Sequence, residues 1–381
     1  MGKTRIAFFI DVLLEHMDGV ANTSNRIISR LDSMEIEPIF FTCLPPQAVD
    51  FPYRIVLVPN IKIPYSKDYP FAIPGKRSEI FKILDEFQPD LIHWSSPTLL
   101  GKYATRYSKL KGIPNITIYH THFSGYLDYY NWLPFRSFFR KKLDHRMTNL
   151  YDKASLVLAP TLSMKEFLVG EGLSPDKIGI WGRGVDSQKY NPDHRSEELI
   201  STWGAQEKIK ILFVSRLFHY KETDMLIRLS HILPQNVLLI ITGEGPEREK
   251  MEKESNKKNT LFTGKLVGHE LSEVYASADI FVFPSLTDTF GNVVLEAMAS
   301  GLPVIAANAG GPKNIVKHGE TGYLIEPKNE QAFNDHIRKL SEDKALFNNM
   351  KSKALQYARD TNWDSLIKQI QSKYLNLIKK Q

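Results

Sequence analysis

One stretch of the chain decides the fold: residues 276–306, which read ASADIFVFPSLTDTFGNVVLEAMASGLPVIA. Two short apolar runs, residues 280–283 and 303–306, flank a loop and a helix-length segment that begins near Asn292. An apolar strand, a crossover helix and a second apolar strand are typical of a parallel βαβ unit. Because neither run alternates with polar residues, we expect the sheet to be covered by helices on both faces.

The same alternation of apolar runs and amphipathic segments continues in both directions. We predict strands at residues 6–10, 38–42, 54–58, 91–94, 116–119, 156–159, 209–214, 237–242, 260–262, 280–283, 303–306 and 322–325. Two successive sets of this kind predict an α/β protein with two Rossmann-like, doubly wound parallel-sheet domains facing a central cleft. We place the domains at residues 1–190 and 207–360, with a polar linker at 191–206 and a final helix at 361–381.

Length and composition agree with two globular domains. The chain has 381 residues, 42% of them hydrophobic and 24% charged, and a single core rarely grows to that length. Its one cysteine, Cys43, permits no intramolecular disulfide, which fits a reducing, cytoplasmic setting. The apolar run near the N-terminus is interrupted by Asp11, so it predicts a core strand and not a signal peptide. No apolar run reaches the roughly 20 residues that span a bilayer.

The positive charge is concentrated in one window. The net charge is +6, yet residues 101–150 alone hold nine basic side chains against two acids. Within this window we single out Arg136, Arg140, Lys141 and Lys142, which are interleaved with aromatic residues. Cations and aromatic rings together suit the headgroup region of an anionic membrane, and the alternative is a helix with an ordinary packed face. No nucleic-acid recognition motif accompanies the patch.

Candidate binding residues follow the predicted strands, where parallel sheets bind ligands. Gly19 lies in a turn before a helix, where the backbone can approach a phosphate; the alternative is a simple turn. Arg216 and Lys221 follow the strand at 209–214. Two such cations can clamp a diphosphate, Arg216 in bidentate fashion and Lys221 as a point charge. The alternative is two solvated cations on a loop.

The loop after residues 280–283 carries the most specific set. Asp288 lies in the loop, and the amides of Phe290, Gly291 and Asn292 can hold a phosphate or sugar oxygen at a helix N-terminus. Glu296 lies about one turn inside the helix among apolar neighbours. A carboxylate in a buried stretch needs a partner, and a ribose diol can supply one.

Two histidines follow the strand at 116–119. His120 and His122 share a face of an extended chain, so a metal pair is one alternative. The sequence contains no H-E-x-x-H and no D-x-D motif, so we expect no metal. A histidine that donates to a substrate hydroxyl or phosphate is the preferred interpretation, and a core histidine remains an alternative for His122.

Together these segments resemble glycosyltransferase family 4, which comprises retaining enzymes of the GT-B fold. The motifs appear in the family's order: DGV at 18–20, YHT at 119–121, WGRGVD at 181–186, SRLFHYK at 215–221, GEGP at 243–246, FTG at 262–264 and the long block at 276–306. WGRGVD and YHTHFSGYL resemble the branch that contains bacterial α-mannosyltransferases and sulfoquinovosyl-diacylglycerol synthases. The resemblance covers most of the chain.

The resemblance implies an acceptor-binding N-terminal domain and a donor-binding C-terminal domain. It also implies that the last helix returns to the N-terminal domain. Gly19 would face the diphosphate from the N-terminal domain, and His120 would touch the sugar near the reacting carbon. The backbone around Lys265 and Leu266 would cover the nucleotide base.

The resemblance also implies roles for the residues that are predicted to bind the phosphates and sugars of the donor. Arg216 and Lys221 would bind the donor diphosphate and stabilise the leaving group. Glu296 would hold the ribose, and Asp288 would contact the donor sugar together with the backbone of 290–292. The family commonly has two glutamates at this spacing, whereas the first is Asp288 here, so the identity of the donor is open at this position.

The sequence thus predicts a retaining transferase that moves a hexose from GDP-mannose or a UDP-sugar to a lipid-linked, glycolipid or lipopolysaccharide-type acceptor. The alternatives are a cytosolic transferase that makes a soluble glycoside or sugar phosphate, and a non-catalytic sugar-nucleotide sensor. We expect no cofactor, no metal and no nucleic-acid partner. The predicted location is the cytoplasm, with peripheral contact to the inner face of an anionic membrane.

Overall fold

The computed structural model describes residues 2–13, 19–46, 51–63, 66–95, 97–120 and 136–380. These residues form two compact units. The first unit comprises the described residues up to 120, together with 136–182 and 364–380, and the second comprises residues 183–363.

The first unit is built on a seven-stranded sheet. Its strands are β1 (Thr4–Phe9), β2 (Ile36–Thr42), β3 (Arg54–Leu57), β6 (Leu91–Trp94), β7 (Asn115–Ile118), β8 (Leu156–Ala159) and β9 (Ile178–Ile180). All neighbours are parallel in the order β3-β2-β1-β6-β7-β8-β9. A separate antiparallel hairpin pairs β4 (Asn60–Ile63) with β5 (Ser66–Ala72). Its helices are α1 (Gly19–Ile28), α2 (Arg77–Phe87), α3 (Leu99–Lys111), α4 (Arg136–Tyr151), α5 (Leu162–Gly170) and α14 (Trp363–Lys379), the last from residue 364 onward.

The second unit is built on a six-stranded sheet. Its strands are β10 (Ile209–Val214), β11 (Val237–Thr242), β12 (Thr260–Gly264), β13 (Ile280–Phe283), β14 (Val304–Ala307) and β15 (Gly322–Ile325). They are all parallel in the order β12-β11-β10-β13-β14-β15. Its helices are α6 (Glu197–Thr202), α7 (Thr223–Ile232), α8 (Arg248–Glu254), α9 (Gly268–Ser277), α10 (Asn292–Ala299), α11 (Pro312–Ile315), α12 (Glu330–Glu342) and α13 (Lys344–Asp360).

The predicted fold class is confirmed, because each unit is a Rossmann-like parallel sheet whose central strands are buried on both faces. Four successive residues of β1, from Ile6 to Phe9, are at most 1% exposed, which an apolar strand without alternation predicts. The predicted strands are all present, with small differences at their ends. The hairpin of β4 and β5 and the short strand β9 were not predicted.

The unit boundary differs from the expected one. The chain passes from the first unit to the second between Gly182 and Arg183, eight residues before the expected domain end at 190. Residues 191–206, expected as a linker, contain a 3-10 turn (Pro192–His194) and α6 and belong to the second unit. The side chain of Asn191 and that of Ser196 cap these two elements, so a stretch that is polar in sequence is ordered by its own capping residues.

The C-terminal helix α14 is anchored in the first unit by two buried contacts. The indole nitrogen of Trp181 donates to the carbonyl of Leu366 over 2.9 Å. The Tyr374 hydroxyl lies 2.7 Å from Nδ1 of His93, a buried residue of β6. Burial lowers the pKa of His93 to about 3, so the imidazole is neutral. Among the described helices, none is long and apolar enough to span a bilayer.

Candidate functional site

The predicted donor residues converge on the carboxyl edge of the second sheet. Lys221 follows β10, Lys265 follows β12, and Asp288 follows β13. Because parallel strands end at the same edge, these loops are neighbours, and the edge is where such sheets bind ligands. Lys265 is exposed and Leu266 is half-buried, packed against the core of this unit.

Two glycines allow the loop after β10 to pack against the loop after β11. A Cβ on Gly243 would lie 1.8 Å from the carbonyl oxygen of Ser215, and one on Gly245 would lie 2.2 Å from that of Leu217. Gly243 also has a φ of 140°, which other residues rarely adopt. The GEGP motif therefore supports the loop that carries the two cations.

Lys221 and Asp288 form a two-pronged ion pair. The Lys221 ammonium donates to both carboxylate oxygens of Asp288, over 2.6 and 2.8 Å. Only 11% and 19% of the two side chains is exposed. The predicted phosphate-binding lysine and the predicted sugar-binding aspartate thus lie side by side. The positive charge of Lys221 offsets the negative charge of Asp288.

The backbone of the loop after β14 also contacts Asp288. The amide of Gly311 donates to the carbonyl of Asp288 over 2.6 Å, and a Cβ on Gly310 would lie 2.7 Å from the same oxygen. The loop after β14 therefore needs both glycines to support the loop after β13. Lys221 is held too, since its ammonium lies 5.8 Å from the ring centre of Phe283.

Arg216 lies on the same loop as Lys221 but in a different environment. Its side chain is exposed, its guanidinium donates to the Tyr220 hydroxyl over 3.3 Å, and it lies 5.5 Å from the centre of the Phe218 ring. A guanidinium supported by an aromatic ring keeps donors available for a phosphate.

The helix α10 begins at an exceptional turn. Gly291 adopts a φ of 97° and precedes the first residue, Asn292, without a side-chain cap. A Cβ at Gly291 would lie 3.1 Å from Cγ of Pro312. The first amides of α10 are consequently not satisfied by a capping side chain, and the positive end of a helix suits an anion. Phe290, next to this turn, is buried.

Glu296 is a partly buried carboxylate that hydrogen-bonds to a tyrosine of the neighbouring helix α9. Its Oε2 accepts a hydrogen bond from the Tyr275 hydroxyl over 3.0 Å. Burial raises the pKa of Glu296, while the Tyr275 hydrogen bond and the positive charge of Lys189 oppose that rise. Within the described part of the chain, the predicted need for a partner is met on Oε2.

The two residues that are predicted to contact the donor from the N-terminal domain lie in the first unit. His120 follows β7 and is half-buried, and Gly19 is the first residue of α1. Both therefore lie after strands of that sheet, and their roles stay predictions. His122 lies outside the described residues.

The basic patch is described in part. Lys141 and Lys142 are exposed on α4. Arg136 and Arg140 belong to the same helix, but their side chains, like the aromatic residues before the helix, lie outside the description. Three further cations, Lys102, Arg106 and Lys109, are exposed on α3, which packs against α4.

One group in the described residues has the composition of a metal site. Ligand atoms of His219, Asp224 and Glu247 lie within 4.8 Å of one another. Lys250 places its ammonium 2.6 Å from Asp224 and 4.0 Å from Glu247. Lys250 already pairs with Asp224 and lies at the limit of ion-pair distance from Glu247, so we interpret this group as an ion-pair network.

The residues that contact and position Asp288 and Glu296 were not predicted from the sequence. The A-G-G-P run after β14 carries a signal for Gly310 and Gly311, because consecutive glycines at a strand end indicate close backbone approach. Tyr275 gives no such signal, since its bond to Glu296 joins two helices that are separate in sequence.

Two family models match the chain. Residues 196–359 match "Glycosyl transferases group 1" and residues 17–189 match "Glycosyltransferase Family 4". The chain is 32% identical over 339 residues to a GDP-mannose-dependent alpha-mannosyltransferase of Mycobacterium tuberculosis, covering 85% of this chain and 84% of that protein. It is 33% identical over 349 residues to the sulfoquinovosyl transferase SQD2 of Arabidopsis thaliana, covering 89% and 67%.

A solved structure shares the fold. The Anabaena protein HepE in complex with UDP aligns with a TM-score of 0.78 at 18% identity, covering 98% of this chain and 100% of that one. Fold and sequence therefore define a GT-B glycosyltransferase. The chain belongs to glycosyltransferase family 4, carries the group 1 domain, and is a hexosyltransferase.

Proposed function

We propose that the enzyme transfers a hexose, with retention of configuration, from GDP-mannose or a UDP-sugar to a hydroxyl of a lipid-linked, glycolipid or lipopolysaccharide-type acceptor. The observation that carries the proposal is the convergence of Lys221, Asp288 and Glu296 in one unit, with Arg216 on the same loop as Lys221. The name of the GDP-mannose-dependent alpha-mannosyltransferase relative supports the choice of donor class. The name of another relative, an alpha-monoglucosyldiacylglycerol synthase of Streptococcus pneumoniae that is 26% identical over 316 residues, supports a glycolipid acceptor.

The chemistry of the donor suits these residues. When the bond between the anomeric carbon and the diphosphate oxygen breaks, negative charge develops on the phosphate. Lys221, Arg216 and the first amides of α10 supply positive charge and dipoles for that oxygen. These groups can stabilise the leaving diphosphate without a metal ion, so we propose metal-independent transfer.

Retention follows from a front-side displacement. The acceptor oxygen bonds to the anomeric carbon on the face from which the diphosphate departs. The acceptor's proton passes to the departing phosphate oxygen, so the step needs no separate base. In this scheme Asp288 binds a hydroxyl of the donor sugar, and Glu296 binds the ribose.

A donor screen tests the proposal. Purified enzyme is incubated with GDP-mannose, GDP-glucose, UDP-glucose and UDP-galactose, and release of the nucleoside diphosphate is followed with and without total membrane lipid as acceptor. We expect release from one of these donors, stimulated by the lipid. No release from any of them would contradict the proposal. NMR of the product then gives the anomeric configuration, and an inverted linkage would rule out the front-side step.

A further inference from the structure

The two oxygens of the Glu296 carboxylate have different surroundings. Oε2 accepts a hydrogen bond from Tyr275, whereas no donor among the described residues reaches Oε1. The residue is partly exposed, so Oε1 is open to a ligand. A carboxylate held by one oxygen and open at the other is fixed in direction before the ligand arrives.

Tyr275 is itself rigidly placed. It lies on α9, is 0% exposed, and its ring meets that of Tyr190 edge to face at a centroid distance of 5.5 Å. The centre of its ring also lies 5.9 Å from that of Phe281 on β13. A buried phenol needs a partner for its hydroxyl, and Glu296 is that partner.

We propose that Tyr275 is a positioning residue for nucleotide binding: it holds Oε2 of Glu296 so that Oε1 faces the ribose diol. The inference rests on the proposed function, since it takes the ligand to be a nucleoside diphosphate with a ribose. Tyr275 does not touch the ligand. It acts through Glu296 by fixing the rotamer and by supporting the charged form of the carboxylate.

Two groups of the described chain favour the ionised form of Glu296. Tyr275 faces the carboxylate from α9, and Lys189 lies near it on the segment before the 3-10 turn at Pro192–His194. Burial works in the opposite direction and raises the pKa of Glu296. Removing the Tyr275 hydroxyl therefore raises this pKa further, and the carboxylate becomes protonated at a higher pH.

The experiment measures the affinity of UDP, GDP and their 2′-deoxy counterparts by calorimetry, for wild-type protein, Tyr275→Phe, Glu296→Gln and the double variant. We expect Tyr275→Phe to weaken binding of the ribonucleotide by roughly tenfold. We expect little change for the 2′-deoxy nucleotide, which lacks one hydroxyl that Oε1 can bind. The double variant should bind no more weakly than Glu296→Gln. The loss of affinity on the acid side should also begin at a higher pH in Tyr275→Phe.

Tyr374→Phe is the matched control, because it too loses one buried hydroxyl contact, to His93 in the first unit. It should leave all four affinities unchanged. Two results would overturn the inference and leave the proposed function in place. One is that Tyr275→Phe binds every nucleotide with wild-type affinity at every pH. The other is that it loses equal affinity for the ribose and the deoxyribose nucleotides. Wild-type protein that binds none of these nucleotides would overturn the proposed function and this inference with it.

Discussion

The ion pair between Lys221 and Asp288 changes how each of these residues can bind a ligand. A lysine that donates to both oxygens of a carboxylate over 2.6 and 2.8 Å is not a free cation. In the proposed function, the incoming diphosphate must share or replace Asp288 as the partner of Lys221. Because the Asp288 carboxylate would repel the diphosphate and already pairs with Lys221, we expect its charge to oppose nucleotide binding, even though its proposed role is to bind the donor sugar.

Asp288→Asn therefore has opposite effects on binding and on turnover. We expect the affinity for UDP or GDP, which lack the sugar, to rise by roughly three- to tenfold, because Lys221 loses its competing partner. The rate of transfer should fall, since the sugar contact is weakened. Isothermal titration and steady-state kinetics measure the two quantities.

The same substitution at Asp224 is the control for Asp288→Asn. Asp224 also pairs with a lysine in the second unit, Lys250 over 2.6 Å, and Asp224→Asn should leave nucleotide affinity unchanged. Weaker UDP and GDP binding by Asp288→Asn would show that Asp288 holds Lys221 in its binding position and does not compete for it.

The sequence singles out individual side chains but not the bonds between them. Lys221 and Asp288 stand out because each lies in a loop after a strand that is recognisable from its apolar run, and Glu296 stands out because its helix neighbours are apolar. Their roles in donor binding stay predictions. The bonds from Lys221 to Asp288 and from Tyr275 to Glu296 could not be predicted, because each joins elements that only the folded sheet and its helices bring together.

At the element scale, the strands were predictable where they are buried on both faces. The run at 209–214 and the run at 237–242 are continuous and apolar, and both are strands. The strand β9 was missed because it has only three residues, one of them glycine. The hairpin of β4 and β5 was missed because lysine and proline interrupt its apolar pattern.

The close packing of the loops after β10 and β11 predicts that position 243 requires glycine. Gly243→Ala places a Cβ 1.8 Å from the Ser215 carbonyl, so the backbone must move, and we expect the free energy of unfolding to fall by about 3 kcal/mol or more. Gly204→Ala is the control, since Gly204 also has a positive φ of 59° but nothing within 4 Å. It should cost only about 1–2 kcal/mol. Equal losses of stability in chemical denaturation would contradict the account of the GEGP turn.

The contact between β6 and α14 gives a pH-dependent test. Burial lowers the pKa of His93 from 6.5 to about 3, so the unfolded chain binds a proton between these values that the folded chain does not. Stability is therefore lost as pH falls below 6.5. From pH 6.5 to pH 4.5 we expect His93 to account for about 2–3 kcal/mol of this loss.

His93→Gln removes the titrating group and keeps a side chain that can hydrogen-bond to the Tyr374 hydroxyl. Its free energy of unfolding should depend less steeply on pH between 4.5 and 6.5 than that of wild type. His145→Gln, on the exposed face of α4, should keep the wild-type dependence. An unchanged pH dependence in His93→Gln would mean that His93 is not the group that senses acid.

For the molecule as a whole, composition and the order of motifs predicted two parallel-sheet domains, and the compact units divide eight residues before the predicted end of the first domain. A polar segment with prolines reads as a linker, yet residues 191–206 are ordered within the second unit by side-chain caps. The transition at Gly182 and Arg183 lies inside the WGRGVD motif, where no change of composition marks it.

The distribution of charge over the molecule predicts membrane contact through the basic face of α3 and α4. Lys141→Glu with Lys142→Glu should greatly reduce binding to phosphatidylglycerol vesicles, because each cation near an anionic surface contributes about 1 kcal/mol. Lys257→Glu with Lys258→Glu changes the net charge equally on an exposed site of the second unit and should bind like wild type. Vesicle sedimentation at low and high salt measures this, and equal loss in both double variants would show that only net charge matters.

In the proposed function, Lys221 stabilises the leaving diphosphate during hexosyl transfer. This role is tested by measuring kcat of Lys221→Ala with the preferred donor and acceptor, and by comparing it with kcat of Lys258→Ala, which changes an exposed lysine outside the proposed site. We predict that kcat falls by about 100-fold or more in Lys221→Ala, since an interaction that grows in the transition state is lost, and that Lys258→Ala turns over like wild type. Wild-type kcat in Lys221→Ala would contradict the account.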